Sequence, residues 1–183
     1  MCHVIALIDE SILLSGAGCY LLACVVIPDD RRAHVRRAIR RAAVGNHFHW
    51  KDEREDAQLR MLRVVGLEAA HLFAHVRRPT VRREHERVRT ELLGALLNDL
   101  SETPTLDLLI ESRQHVNDLK DRQVIVSSVV AGETSPEMNY GHAGPNQEPL
   151  LWAADALAGA VMAQVRGEGK FLASLPPGLL KLR

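Results

Sequence analysis

A chain of 183 residues, 46% apolar and 25% charged, is sized and composed for one ordinary domain with a substantial core, which excludes a disordered or fibrous protein. Its 23 basic and 23 acidic residues cancel, so any attraction to nucleic acid must come from a local basic face rather than from global charge. Three cysteines without a CxxC pair fit reduced thiols, no apolar run reaches the roughly 20 residues of a membrane helix, and no basic leader precedes the first apolar run; the expectation is a cytoplasmic protein that does not span a membrane.

HVIALIDESILLSG, residues 3–16, opens with an aliphatic run, 4–8, of the kind a strand buried on both faces needs. It delivers Asp9 and Glu10 to the point where it leaves the core. After a Ser/Gly turn, YLLACVVI at 20–27 predicts a second buried strand, and the short link predicts an antiparallel hairpin. Pro28, Asp29 and Asp30 stop it and start a helix over 31–43, where Val35, Ala38, Ile39 and Ala42 keep helical spacing. HFHW at 47–50 fits no regular element clearly. A helix over 53–68 and a strand over 70–76 follow, then a helix over 80–100 with Val88, Leu92, Ala95 and Leu96 as its stripe. LDLLIES predicts a strand at 106–112, followed by a helix over 115–130, a weaker strand near 137–142 and a last helix over 149–166. The tail from 167 to 183 reads as irregular, and its apolar stretch 171–182 suits either its own core or a second copy of the chain as a homodimer contact. Alternating strands and helices after a hairpin, with no linker, predict one α/β domain over 1–183.

Three acids stand at element ends. Asp9 closes the first strand. Glu111 ends LDLLIES and shares a face with Leu109 by the period of two. Asp155 borders the apolar stripe of LLWAADALAGAVMAQV, beside Leu151 and Met162, so it is held against the sheet rather than aimed at water. Carboxylates from a first strand, a later strand and a final helix are what Mg²⁺ or Mn²⁺ requires, and two such ions can activate water and stabilise the leaving oxygen of a phosphodiester.

The phrases IDES, FHWKDER, LIESR and LLWAADALAGAV, in that order, resemble the bacterial proteins catalogued as domain of unknown function 3800. Those proteins have an RNase H-like fold and begin with an Asp-Glu-Ser-Gly motif. The resemblance runs over nearly the whole chain and implies an α/β, RNase H-like mixed β-sheet with flanking helices. It implies that Asp9, Glu111 and Asp155 are the metal-binding acids of a nuclease, with Asp118 or Asp121 from NDLKD as a further ligand. Ile12 stands where the motif has glycine, so a tight turn beside the site would be built differently here.

Each of these residues also has a structural reading. Asp9 suits a strand-end turn, Glu10 points to the opposite face and suits an ion pair, and Glu111 suits pairing with Arg113. His49, Lys51 and Arg113 are the candidates for contact with a substrate phosphate, against a Trp50-anchored turn with solvated neighbours. His47 with His49, or His71 with His75, offers half of a zinc site, but spacing fixes no further ligands. RRAHVRRAIRR at 31–41 carries its arginines opposite an apolar stripe and is the candidate nucleic-acid face, whereas VRREHERVR at 81–89 is mixed in sign. Cys19 and Cys24 read as packing residues. Two functions stay open: a Mg²⁺- or Mn²⁺-dependent nuclease, and a non-catalytic RNase H-like module acting with a protein or nucleic-acid partner.

Overall fold

The opening apolar run becomes a strand that continues past Ile8 through both acids, β1 (Val4–Leu13), and returns as β2 (Cys19–Pro28). The computed structural model describes residues 3–43, 45–101, 103 and 106–183, so Cys2 lies outside them. A 3-10 turn at Asp29–Arg31 leads into α1 (Arg32–Ala42), and a second one at Trp50–Asp52 precedes α2 (Glu55–Glu68). Then follow β3 (His71–Arg77), α3 (His85–Leu100), β4 (Leu106–Glu111), α4 (His115–Val130), β5 (Asn139–Ala143), α5 (Leu151–Val165) and β6 (Leu180–Leu182).

The described residues form a six-stranded mixed sheet in the order β5-β4-β1-β2-β3-β6. β1 pairs antiparallel with β2 and parallel with β4, which in turn pairs parallel with β5. Helices cover both faces, which is why the two central strands read as continuous rather than alternating apolar runs. Ile5 and Leu7 face the core shared with α1, α2 and α5, whereas Ala6 and Ile8 face the core shared with α3 and α4.

The tail corrects the expectation of irregularity. Residues 180–182 pair parallel with Leu72, Phe73 and Ala74 of β3, so they form a short sixth strand at the sheet's edge, and Phe171 and Leu175 are buried in the chain's own core. The outer side of β3 over Leu72–Ala74 is thereby paired within one chain, and the edge that remains is a strand of three residues, a short edge of the kind that limits strand addition. The expected stripe on α5 is also too narrow: nearly the whole helix is buried, because alanines at 153, 156, 158, 160 and 163 let neighbours approach from every side.

That close approach is tightest at Gly159. A Cβ there would lie 2.1 Å from Trp50 Cγ, so the indole lies directly on the helix backbone, with the Phe171 ring in edge contact with it, centroids 4.9 Å apart. Gly159→Ala is therefore expected to cost about 1–3 kcal/mol by overpacking, read as a lowered Tm. Gly94→Ala, where a Cβ meets nothing within 4 Å, is the matched control and should be neutral or stabilising. Equal melting of the two variants would remove Trp50 as a fixed part of the core.

Candidate metal and nucleic-acid site

β1 and β4 pair in register from Val4 with Leu106 to Ile8 with Ile110. The next residue on each strand is an acid, Asp9 and Glu111, so the two carboxylates follow the last parallel pair on neighbouring strands. By the two-residue period both take the side of Leu7 and Leu109, which is the side covered by α5. Asp155 descends from α5 onto the same place, held by a hydrogen bond from the Trp50 backbone N–H at 2.8 Å. His49 Nδ1 stands 3.4 Å from Asp155 Oδ2.

A cavity of about 160 Å³ opens among these groups, walled also by Ser11, Lys51 and Arg113. Asp9 is 9% exposed and accepts a hydrogen bond from the Glu10 N–H at 2.7 Å; no cationic side chain among the described residues pairs with it or with Glu111. Burial first, and then the charges of Glu111 and Asp155, push the Asp9 carboxyl well above the ordinary carboxylate range. Burial and then Asp155 raise Glu111 as well. The hydrogen bond to Asp155 raises the His49 imidazole. Three carboxylates give an all-oxygen donor set of the kind Mg²⁺ and Mn²⁺ take, and buried Asp9 with half-buried Glu111, neither paired with a cationic side chain, have the charge that such an ion neutralises.

Glu10, Arg89 and Arg113 also border the cavity, but both guanidinium groups are committed to other acids. Glu10 meets Arg89 Nη1 at 2.6 Å and the Tyr20 hydroxyl, which donates to it. Arg89, 2% exposed, also forks onto Asp121, with Nε at 2.8 Å and Nη2 at 2.7 Å. Arg113 reaches Glu86 at 2.8 Å and Asp121 at 3.1 Å instead of pairing with Glu111. Burial works to raise Asp121, but hydrogen bonds from Arg89 and His142 hold it far below the usual range.

Asp9, Glu111, Asp155, His49, Lys51 and Arg113 are thus brought to one cavity, although the Arg113 guanidinium is occupied by acids. Asp118 is not part of that cavity: it accepts from Ser112 Oγ at 2.7 Å and from the Arg113 N–H at 2.9 Å. Asp118, Asp121 and His142 are the group of described residues whose ligand-type atoms all lie within 4.8 Å of one another, a closeness that Asp9, Glu111 and Asp155 do not reach, but both Asp121 oxygens already receive guanidinium N–H bonds. The histidine pairs do not assemble as zinc sites among the described residues. His47 is exposed, His71 is exposed, and His75 is buried 3.0 Å from Asp99. Ile12 does not disturb the site, since β1 runs straight through it, paired with Tyr20, and its side chain packs on the α3–α4 core.

Sequence reasoning missed Arg89, Ser11 and the Trp50 N–H. Ser11 was findable, because it shares Asp9's face by alternation; Arg89 sat in a run of mixed charge with nothing local to mark it as buried.

Among solved structures, the RNase HII of Archaeoglobus fulgidus, from its complex with PCNA, matches 92% of this chain and 78% of its own at 16% identity, with a TM-score of 0.55. The ribonuclease H2 of Pyrococcus horikoshii OT3 matches 96% of this chain and 82% of its own at 14% identity, with a TM-score of 0.56. The fold is therefore RNase H-like. No protein-family model and no curated protein matches the sequence. No described helix is long and apolar enough to cross a membrane.

Asp9 and Glu111 have folded pKa values above their unfolded ones, so their favourable contribution is complete below the ordinary carboxylate range near 4 and is lost as pH rises through the raised values. In EDTA, Asp9→Asn should melt above the wild type at neutral pH, with the gap closing on acidification; a variant that melts lower at every pH contradicts the unpaired charge. Arg89→Met leaves Asp121 and Glu10 without their cation and is expected to cost about 3–5 kcal/mol, measured by urea unfolding. A loss under about 1 kcal/mol would show that the network is dispensable.

Proposed function

We infer that the protein is a Mg²⁺- or Mn²⁺-dependent phosphodiesterase acting on nucleic acid. The observation that carries this reading is the meeting of Asp9, Glu111 and Asp155 in one cavity without an arginine or lysine partner, in an RNase H-like fold. The two ribonuclease H neighbours support the substrate class by analogy of fold.

Asp9, Glu111 and Asp155 would hold the metal, which when bound supplies an activated water and neutralises charge on the phosphodiester. The chain's own residues account for the rest. Lys51, exposed at the cavity wall and without an acid partner among the described residues, attracts the phosphate. His49 directs Nδ1 to Asp155, which leaves Nε2 on the far side of the ring for a substrate oxygen. The Trp50 N–H fixes the Asp155 oxygen and prevents it from turning away with its helix. Glu10 and Asp121 occupy the guanidinium groups of Arg89 and Arg113 at the cavity's border, so that a divalent ion rather than a guanidinium would satisfy the three acids. Asp118 has a role as a support for the Arg113 backbone, outside the ligand set.

The test combines binding with cleavage. Manganese should raise the wild-type Tm, as any ligand of the native state does, and Asp155→Ala should abolish the rise. Removal of a group that only supports a metal ligand costs 10–100-fold, so loss of a ligand itself in Asp9→Asn should lower metal-dependent cleavage of RNA or DNA by at least about 100-fold. A metal-induced shift without cleavage of any strand would favour the non-catalytic module; neither shift nor cleavage would end both the metal site and the enzyme.

A further inference from the structure

The six arginines of residues 31–41 divide into two sets. Arg31 pairs with Glu68 at 2.7 Å, Arg32 with Asp29 and Asp107, and Arg36 with Glu148 at 2.6 Å, so these three tie the start of α1 to the rest of the molecule. Arg37, Arg40 and Arg41 are exposed and have no acid within ion-pair distance among the described residues. They occupy the C-terminal half of α1, from which the chain leads through 45–49 to the acid cavity.

At that end of α1 lies a hollow of about 210 Å³ lined by Arg40, Gly45, Asn46, Asn146, Pro149 and Trp152. Its polar side chains are one guanidinium and two amides, with no carboxylate, and the Trp152 indole N–H is already given to the Pro145 carbonyl at 3.0 Å. A hollow that offers donors and one fixed positive charge suits an anion, as the neighbouring cavity of three carboxylates suits a cation. The two are close by construction. Trp152 and Asp155 are three residues apart on α5, which makes them neighbours on its surface. Asn46 and His49 are three residues apart in the loop, a span of at most about 11 Å. Favourable interaction of Arg40 and Arg41 with the helix C-terminus accounts for their charge, but not for the two amides that face the same hollow from other segments.

We propose that this hollow is a subsite for one backbone phosphate of the nucleic-acid strand that enters the acid cavity, with Arg37 and Arg41 extending the track along α1. The proposal rests on the reading of the protein as a nucleic-acid enzyme and adds where the strand lies. A phosphate contact carries no base information, so DNA and RNA strands should feel it alike.

The test measures binding of fluorescein-labelled single-stranded DNA and RNA to the full chain by anisotropy over a salt series in calcium. Each lost phosphate contact lowers the slope of log affinity against log salt by about 0.7 for a single strand. Arg40→Gln and Arg41→Gln should each flatten the slope by about that amount for both strands, at unchanged Tm. Arg122→Gln, on α4 across the sheet, should keep the wild-type slope. Wild-type slopes in both α1 variants, an equal loss in the α4 variant, or no binding by the wild type would overturn the subsite. Cleavage is scored separately. Strands held through Arg40 but never cut would keep the subsite and remove the nuclease, whereas cleavage that depends on Asp155 but not on Arg40 would do the reverse.

Discussion

Two adjacent acids on one strand are sent to opposite faces of the sheet, and most of what is distinctive in this molecule depends on how differently they are treated. Glu10 goes to the α3–α4 side and is met at once by Arg89 and Tyr20. Asp9 goes to the α5 side, beyond the last β1–β4 pair, and is met by two more carboxylates. Burying a carboxylate among other carboxylates is unfavourable, and the surrounding fold must offset it. Strands do this well, because the backbone of β1 is fixed by β2 on one side through Leu13 and by β4 on the other up to Ile8. Asp9 cannot move away from Glu111 without breaking a paired strand.

Cations are available within a few residues, and their disposal is as informative as the acids themselves. Arg89 could lower the cost of the acid cluster by crossing to it, yet it is held by a forked bond to Asp121 and a third bond to Glu10. Arg113 follows Glu111 in sequence by two residues and still turns to Glu86 and Asp121. Asp121 therefore acts as a sink for guanidinium groups. Its carboxyl is held in the charged form, whereas burial and neighbouring acids drive those of Asp9 and Glu111 out of it. One molecule thus keeps a neutralised network and an unneutralised cluster side by side, with Glu10, Arg89 and Arg113 bordering the cavity of the three acids. The group at Asp118, Asp121 and His142 has ligand-type atoms close together, but it belongs to the neutralised network.

The parts of this arrangement that depend on short-range pattern were legible in the sequence. Aliphatic runs marked β1 and β2, helical spacing marked α1 and α3, and the period of two assigned Glu10 and Asp9 to opposite faces. The parts that depend on long-range pairing were not. Nothing in FLASLPPGLLKLR indicates that its last residues would find the edge of β3, because three residues of strand carry too little periodicity to declare themselves. The rotation of α4 chose Asp121 over Asp118 for the interior, and three residues of separation on a helix could not decide between them. Arg89 is the plainest case. Its neighbours in VRREHERVR are mostly solvated, and only the spatial convergence of Glu10 and Asp121, 79 and 32 residues away in sequence, makes its burial tolerable.

The apolar side of the fold sets the geometry of the polar side. Asp155 belongs to a helix buried nearly all round, which would be free to slide or rotate if its packing were loose. Its small residues bring it close to β1 and β2, and Gly159 lets the Trp50 ring sit on its backbone. Trp50 is also the residue whose N–H binds the Asp155 carboxylate. One residue therefore fixes the helix through its side chain and the acid through its backbone, four positions apart along α5. A change that displaces the indole must also displace the hydrogen bond, so the position of the third acid is coupled to core packing on its own helix. The strand-borne acids have no such dependence, since sheet pairing fixes them. Of the three carboxylates, Asp155 is the one whose placement rests on side-chain packing, and it is there that distant core substitutions would be felt.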